Sequence, residues 1–163
     1  MDKPLTDQVA LITGAGQGVG QGIAYGLAKR GVRIIAVGRT LEKCEGTIAT
    51  IKERFGTDGA AIRCDIGVIA DLDDLVTSAA NQFGRLDILV NNAVSAQITP
   101  LLDASIEEFE LGLRVGPVAS LKLMQLVQPH LVTAGGGNII NLASSAAMRW
   151  DSSNYGVYAA EKE

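Results

Sequence analysis

The chain has 163 residues, about one domain, and 47% of them are hydrophobic, enough for a sizeable core. A net charge of −4 with no basic stretch argues against nucleic acid as a partner. No apolar run reaches the ~20 residues that span a bilayer, so no membrane partner is expected. Met1 to Pro4 leads into a strand pattern rather than a signal-peptide apolar segment. Cys44 and Cys64 are too few and too differently placed for a disulfide framework or a zinc site. As free thiols they fit a reducing cytosol, and a cytoplasmic protein is expected. The single histidine, His130, has no Cys or His at metal-ligand spacing, so it reads as a surface or helix-end residue and no metal site is expected.

Taken in order, strand and helix patterns alternate. Val9-Ala10-Leu11-Ile12 is an apolar run that reads as a buried strand. Thr13 to Gly20 (TGAGQGVG) follows it, and Val19, Ile23, Ala24 and Leu27 then recur at helical spacing. Val32 to Val37 is a second strand, and Leu41, Cys44, Ile48, Ile51 and Phe55 form a helical stripe with Thr40 as its expected N-cap. Ala60 to Cys64 is a third strand ended by Asp65. Leu72, Leu75, Val76, Ala79 and Phe83 make the next helical face, stopped by Gly84. Leu86 to Val90 is a fourth strand. A long helical region runs from about Ser105 to Val132, and Asn138 to Leu142 is a fifth strand after the turn at Gly135-Gly136-Gly137. Asp151-Ser152-Ser153 could open a last helix.

Strands buried on both faces, each followed by a helix, predict one α/β domain over residues 1–163, a doubly wound parallel sheet with helices on both faces. Ligands of such sheets bind beyond the carboxyl ends of the strands. The glycine loop, Arg39, Asp65, Asn91 and Ser145 all fall just beyond strand ends, so one sheet edge should gather them.

The loop Thr13 to Gly20 has the chemistry of a pyrophosphate site. Glycines between strand and helix permit a tight turn and close approach of backbone to ligand. The helix N-terminus adds unpaired N–H groups and a positive dipole end. At the end of the second strand, where an acidic residue commonly binds the ribose hydroxyls of NAD, the sequence has Gly38-Arg39-Thr40. A guanidinium can grip a 2′-phosphate that a carboxylate would repel, so Arg39 favours NADP(H) over NAD(H). Asp65 has two readings, an acceptor for the adenine amino group or a turn aspartate.

Tyr158 and Lys162 are four residues apart, which on a helix puts them on one face. An ammonium beside a phenol favours the phenolate, so such a tyrosine can act as general acid or base. Tyr155 has Ala159 at the same offset and lacks this partner. Ser145 could offer its hydroxyl to a substrate oxygen beside Tyr158, although Ser144-Ser145 also reads as a turn pair. Ala146 to Asn154, with Met148, Arg149 and Trp150, should border the substrate, and Ala96, Gln97 and Ile98 could form another wall.

TGAGQGVG after the first strand, Asn91-Asn92-Ala93 after the fourth, Ser145 after the fifth and Tyr158-Ala159-Ala160-Glu161-Lys162 together resemble the classical short-chain dehydrogenase/reductase family. The resemblance covers the whole chain in the right order. It implies a Rossmann-type domain that moves hydride between a nicotinamide cofactor and a ketone or secondary alcohol. It assigns the cofactor to Gly14, Gly18 and Gly20 of the loop, to Asp65, to the segment Asn91 to Ala93, and to Tyr158 and Lys162; Gln17, Val19, Arg39 and Ile66 complete the expected cofactor-binding set. Ser145, Tyr158 and Lys162 would be catalytic, the lysine easing proton loss from the tyrosine, with Ser145 and Trp150 toward the substrate. A homo-oligomer is implied for the complete form.

Three departures from the family pattern stand out. Val94 occupies the place of a usual glycine. Gly116 stands where the family has a catalytic asparagine in the long helix, although Gly116-Pro117 should still interrupt that helix. The chain stops at Glu163, where the family fold continues with further strands and a substrate-binding segment, so the sheet is expected to lack its C-terminal strands. On that ground residues 1–163 alone are expected to be a poor catalyst and prone to self-association. The other reading of these departures is a non-catalytic dinucleotide-binding remnant acting by association.

Overall fold

The computed structural model describes residues 5–95, 99–100, 102–148 and 156–162. The apolar runs become strands and the periodic stripes become helices. In chain order these are β1 (Val9–Thr13), α1 (Gly18–Ala28), β2 (Arg33–Gly38), α2 (Leu41–Phe55), β3 (Gly59–Arg63), α3 (Leu72–Phe83), β4 (Ile88–Asn91), α4 (Ile106–Leu113), α5 (Ala119–Thr133), β5 (Asn138–Asn141) and α6 (Gly156–Lys162).

The five strands are all parallel, in the order β3-β2-β1-β4-β5. The chain enters in the central strand, winds outward to β3, then returns to place β4 on the other side of β1. That reversal between β1 and β4 opens a crevice beyond the strand ends. Successive strand residues face opposite ways, and the core divides accordingly. Val9, Leu11, Ile35, Val37 and Leu89 pack with α3 and α5 through Leu72, Val76, Leu123 and Val127. Ala10, Ile12, Ile34, Ala36, Ile88 and Val90 pack with α1 and α2 through Ala24, Ala28, Cys44 and Ile51.

Burial on both faces holds for β1 and β4 and for the middle of β2, but not throughout the sheet. β3 is half-buried and the four residues of β5 are exposed. These are the two edges, each with a strand neighbour on one side only.

Helix ends follow local chemistry. Gly56 and Gly84 close α2 and α3 in the left-handed region, with φ of 64° and 72°. Ser105 and Glu108 form a reciprocal capping box at the start of α4, with bonds of 3.1 and 2.9 Å. Thr40 does precede α2, but its side chain makes no capping bond, so the expected N-cap is one of position only; Glu42 in the first turn faces the helix dipole instead. The long helix is interrupted as expected. Arg114–Val118 is a π-turn containing Pro117, the wider turn accommodating a residue with no N–H to donate. Among the described residues no helix is long and apolar enough to cross a membrane.

Candidate active site

The site is built at the C-terminal ends of β1 and β4. The buried Thr13 hydroxyl accepts hydrogen bonds from the Asn92 and Ala93 amides, both at 3.0 Å, and donates to the Val90 carbonyl at 3.3 Å. The Asn92 side-chain amide returns the connection by donating to the Thr13 carbonyl at 2.8 Å. Gly14 turns here with φ of 67°, and a Cβ on it would lie 2.8 Å from Asn92 Nδ2. Gly20, one turn into α1, faces the same amide and the Gly14 carbonyl, with no room for a side chain. The glycine loop and the segment after β4 are therefore one interlocked unit.

A second set of bonds holds the loop from α2. The buried Thr47 hydroxyl donates to the Ala15 carbonyl at 3.0 Å, and Gln21 Nε2 donates to Thr47 Oγ1 at 3.0 Å. Lys43 Nζ donates to Gln17 Oε1 at 2.7 Å. α1 begins with no side-chain cap and no acidic residue in its first turn. Its first N–H groups and its positive dipole end are thus left for an anion beyond β1.

A cavity of 580 Å³ lies over these strand ends. Gly14, Gln17, Gly18 and Val19 supply one wall, and Arg39 stands at the end of β2. Asp65 and Ile66 follow β3, Ala93 follows β4, and Tyr158 and Lys162 face the cavity from α6. A Cβ at Gly18 would meet nothing within 4 Å, which leaves the backbone open to close approach. Uncapped amides, a backbone with no obstruction and a basic rim together fit a dinucleotide.

Three expected residues are not part of this wall. Gly20 packs beneath the loop. Asn91 is buried and its amide donates to Asn141 Oδ1 of β5 at 2.8 Å, while the next residues, Asn92 to Ser95, form the wall. Ser145 opens a short 3-10 turn and is exposed; its neighbour Ser144 accepts the Ala146 amide at 3.2 Å, which accounts for one of the two as a turn residue. Trp150, with Ala96, Gln97, Ile98, Arg149, Tyr155 and Asp151 to Ser153, lies outside the described residues.

On α6, Lys162 Nζ donates to the Leu142 carbonyl at 2.9 Å, tethering the helix to the end of β5. Glu161 between the two expected catalytic residues is buried. Its carboxylate accepts the Ser95 amide at 2.8 Å and the Ser95 hydroxyl at 3.3 Å. Burial pushes the Glu161 carboxyl above its ordinary pKa, against the lowering effect of Ser95 and of the Lys162 charge. Asp65 Oδ1 accepts the Gly67 amide at 3.0 Å, so the turn role is realised at the cavity's edge. Burial, reinforced by Asp71 and Asp65, pushes the Cys64 thiol up to about 11. Thr47, Lys43 and Glu161 were not among the expected site residues, and Asn92 was expected only as part of the segment Asn91 to Ala93. The Asn-Asn pair was a visible signal, whereas Thr47 and Lys43 looked like any other positions on α2.

The sequence model described as short chain dehydrogenase matches residues 8–163. The chain belongs to the short-chain dehydrogenase family. It is 34% identical over 149 residues to a D-threitol dehydrogenase of Mycolicibacterium smegmatis, covering 90% of this chain and 56% of the relative. It is 33% identical over 159 residues to a sorbitol dehydrogenase of Cereibacter sphaeroides, covering 97% and 60%. The crystal structure of L-sorbose reductase from Gluconobacter frateurii complexed with NADPH and L-sorbose superposes with a TM-score of 0.92 at 31% identity, over 99% of this chain and 61% of that one. The chain thus spans little more than half the length of these relatives. Solved structures of neighbours include complexes with NADPH and with NADH.

The Thr13 hydroxyl yields a direct test. Thr13→Val keeps the shape but strands two amides without their acceptor, at a cost of about 1–3 kcal/mol. The expected result is a Tm lowered by several degrees and weaker dinucleotide binding; an unchanged Tm would show that the junction contributes nothing.

Proposed function

We propose that this chain is the cofactor-binding and catalytic part of an NADP(H)-dependent oxidoreductase acting on a ketone or secondary alcohol. The observation that carries the reading is the convergence of the glycine loop, Arg39, Asp65, Tyr158 and Lys162 on one cavity. The cofactor supplies or takes up the hydride; the protein binds, orients and moves the proton. The pyrophosphate rests on Gly14, Gln17, Gly18 and Val19 at the start of α1, above the packing made by Gly20. Asp65 and Ile66 border the adenine. Asn91 supports, and Ala93 lines, the nicotinamide ribose side.

Tyr158 exchanges its proton with the substrate oxygen, acting as general acid in reduction and general base in oxidation. Lys162 holds the ribose and favours the phenolate by its charge. Ser145 orients the substrate oxygen, and Trp150 borders the substrate. The 2′-phosphate lies at Arg39, and Lys43, whose ammonium is 2.7 Å from Gln17 Oε1 on the same rim, adds a second positive charge there. Both cations support NADP(H) over NAD(H). The free thiols of Cys44 and Cys64 support a cytoplasmic protein, and membership of the family supports a homo-oligomer for the complete form.

Cofactor choice is tested by titrating NADPH and NADH into the protein and into Arg39→Ala. A charge-assisted bond is worth roughly 1.5–3 kcal/mol, so Arg39→Ala should weaken NADPH about tenfold or more and leave NADH nearly unchanged. Equal affinity for the two cofactors in the parent protein would sink the NADP(H) assignment. Chemistry is tested by Tyr158→Phe in a catalytically competent form of the protein. Turnover should be lost while cofactor binding persists; Tyr155→Phe should have little effect, and the reverse pattern would move the proton to the other tyrosine.

A further inference from the structure

The long helix carries two glycines, Gly112 and Gly116, on either side of the start of the π-turn. Both face α6. A Cβ on Gly116 would come within 2.5 Å of Glu161 Cγ and 2.8 Å of the Glu161 carbonyl oxygen. A Cβ on Gly112 would lie 3.3 Å from Val157 and 3.6 Å from a Glu161 carboxylate oxygen. The absence of side chains at these two positions is what lets α6 sit this close. Any larger residue at 116, asparagine included, meets main-chain atoms of α6 that cannot swing aside.

Into the room so made goes the Glu161 side chain. Its two oxygens accept both Ser95 donors, the amide at 2.8 Å and the hydroxyl at 3.3 Å. Ser95 ends the segment 92–95 that forms the cavity wall beyond β4. Glu161 therefore bridges three elements: α6 with Tyr158 and Lys162, the π-turn, and the wall segment. A buried carboxylate is costly unless it is well hydrogen-bonded, and it is retained here one residue from Lys162.

We propose that Glu161 is a positioning residue that, from α6, fills the place left open at Gly116 and straps the 92–95 wall to the helix bearing Tyr158 and Lys162. This rests on the dinucleotide reading of the cavity. The strap fixes the distance between the two sides that would hold the nicotinamide half. The adenosine half, held by the glycine loop, Arg39 and Asp65, does not depend on it.

The test measures two ligands by calorimetry on the full chain: NADPH, and adenosine 2′,5′-bisphosphate, which carries only the adenosine half. Glu161→Ala removes both Ser95 contacts and should weaken NADPH about tenfold, with the bisphosphate unchanged within about twofold. Glu161→Gln keeps an acceptor for the Ser95 amide and a donor for its hydroxyl, and should recover most of the loss. Gly116→Ala, which pushes α6 outward, should mimic Glu161→Ala, and the double variant should be no worse than either single one because both break the same strap.

Equal weakening of both ligands in Glu161→Ala would reduce Glu161 to a general stability role and overturn the proposal. So would unaltered NADPH binding in that variant, or additive losses in the double variant. A parent chain that binds neither ligand would instead overturn the dinucleotide reading beneath it.

Discussion

The Thr13 hydroxyl, buried between two strand ends, is the point on which the site depends. It has one proton and two lone pairs, and it uses all three: one donated bond to Val90 and two accepted bonds from Asn92 and Ala93. Two amides that follow β4 have no ladder partner in the sheet, and this hydroxyl supplies one. By fastening the end of β1 to the chain beyond β4 at the topological switch, it fixes where the crevice opens. The Asn92 side chain then holds the Thr13 carbonyl, and Gly14 and Gly20 leave it the space to do so.

The same device, glycine making room for a polar side chain from another element, recurs on the opposite side of the cavity. Gly112 and Gly116 admit Glu161 as Gly14 and Gly20 admit Asn92. In both places the admitted side chain fastens the segment after β4, once at Asn92 and once at Ser95. The cavity wall from 92 to 95 is thereby anchored at one end to the glycine loop and at the other to α6. Lys162 adds a third tether, from α6 to the carbonyl of Leu142. These contacts explain how a chain whose long helix is interrupted at Gly116-Pro117 holds Tyr158 and Lys162 against the cavity.

Much of this was legible in the sequence because the relevant signals are local. Apolar runs of four to six residues located β1, β2 and β4, and glycine at 56 and 84 marked helix ends through its backbone freedom alone. The Gly116-Pro117 pair announced an interruption because proline has no N–H to continue the ladder, though only the structure gave it the form of a π-turn. The four-residue spacing of Tyr158 and Lys162 was readable in the sequence, and both residues line the cavity. What could not be read was which partner a polar side chain finds, whether nearby or far along the chain. Thr40 looked like a cap because capping residues are recognised by type, yet its side chain makes no such bond. Asn91 and Asn92 are neighbours in sequence but alternate in direction, so one buries its amide against Asn141 and the other reaches the glycine loop. Nothing in the sequence singled out Glu161, because its placement depends on two glycines, Gly112 and Gly116, far away along the chain.

Hydrogen–deuterium exchange of the full chain, with and without NADPH, tests the account most directly. If the glycine loop and the wall after β4 are one cradle, amides in residues 14–20 and 92–95 will gain protection together, over the same range of NADPH concentration. The Asn92 and Ala93 amides, already bonded to Thr13, will exchange slowly even without ligand. Protection confined to the loop, with residues 92–95 exchanging freely whether or not NADPH is bound, would contradict the account.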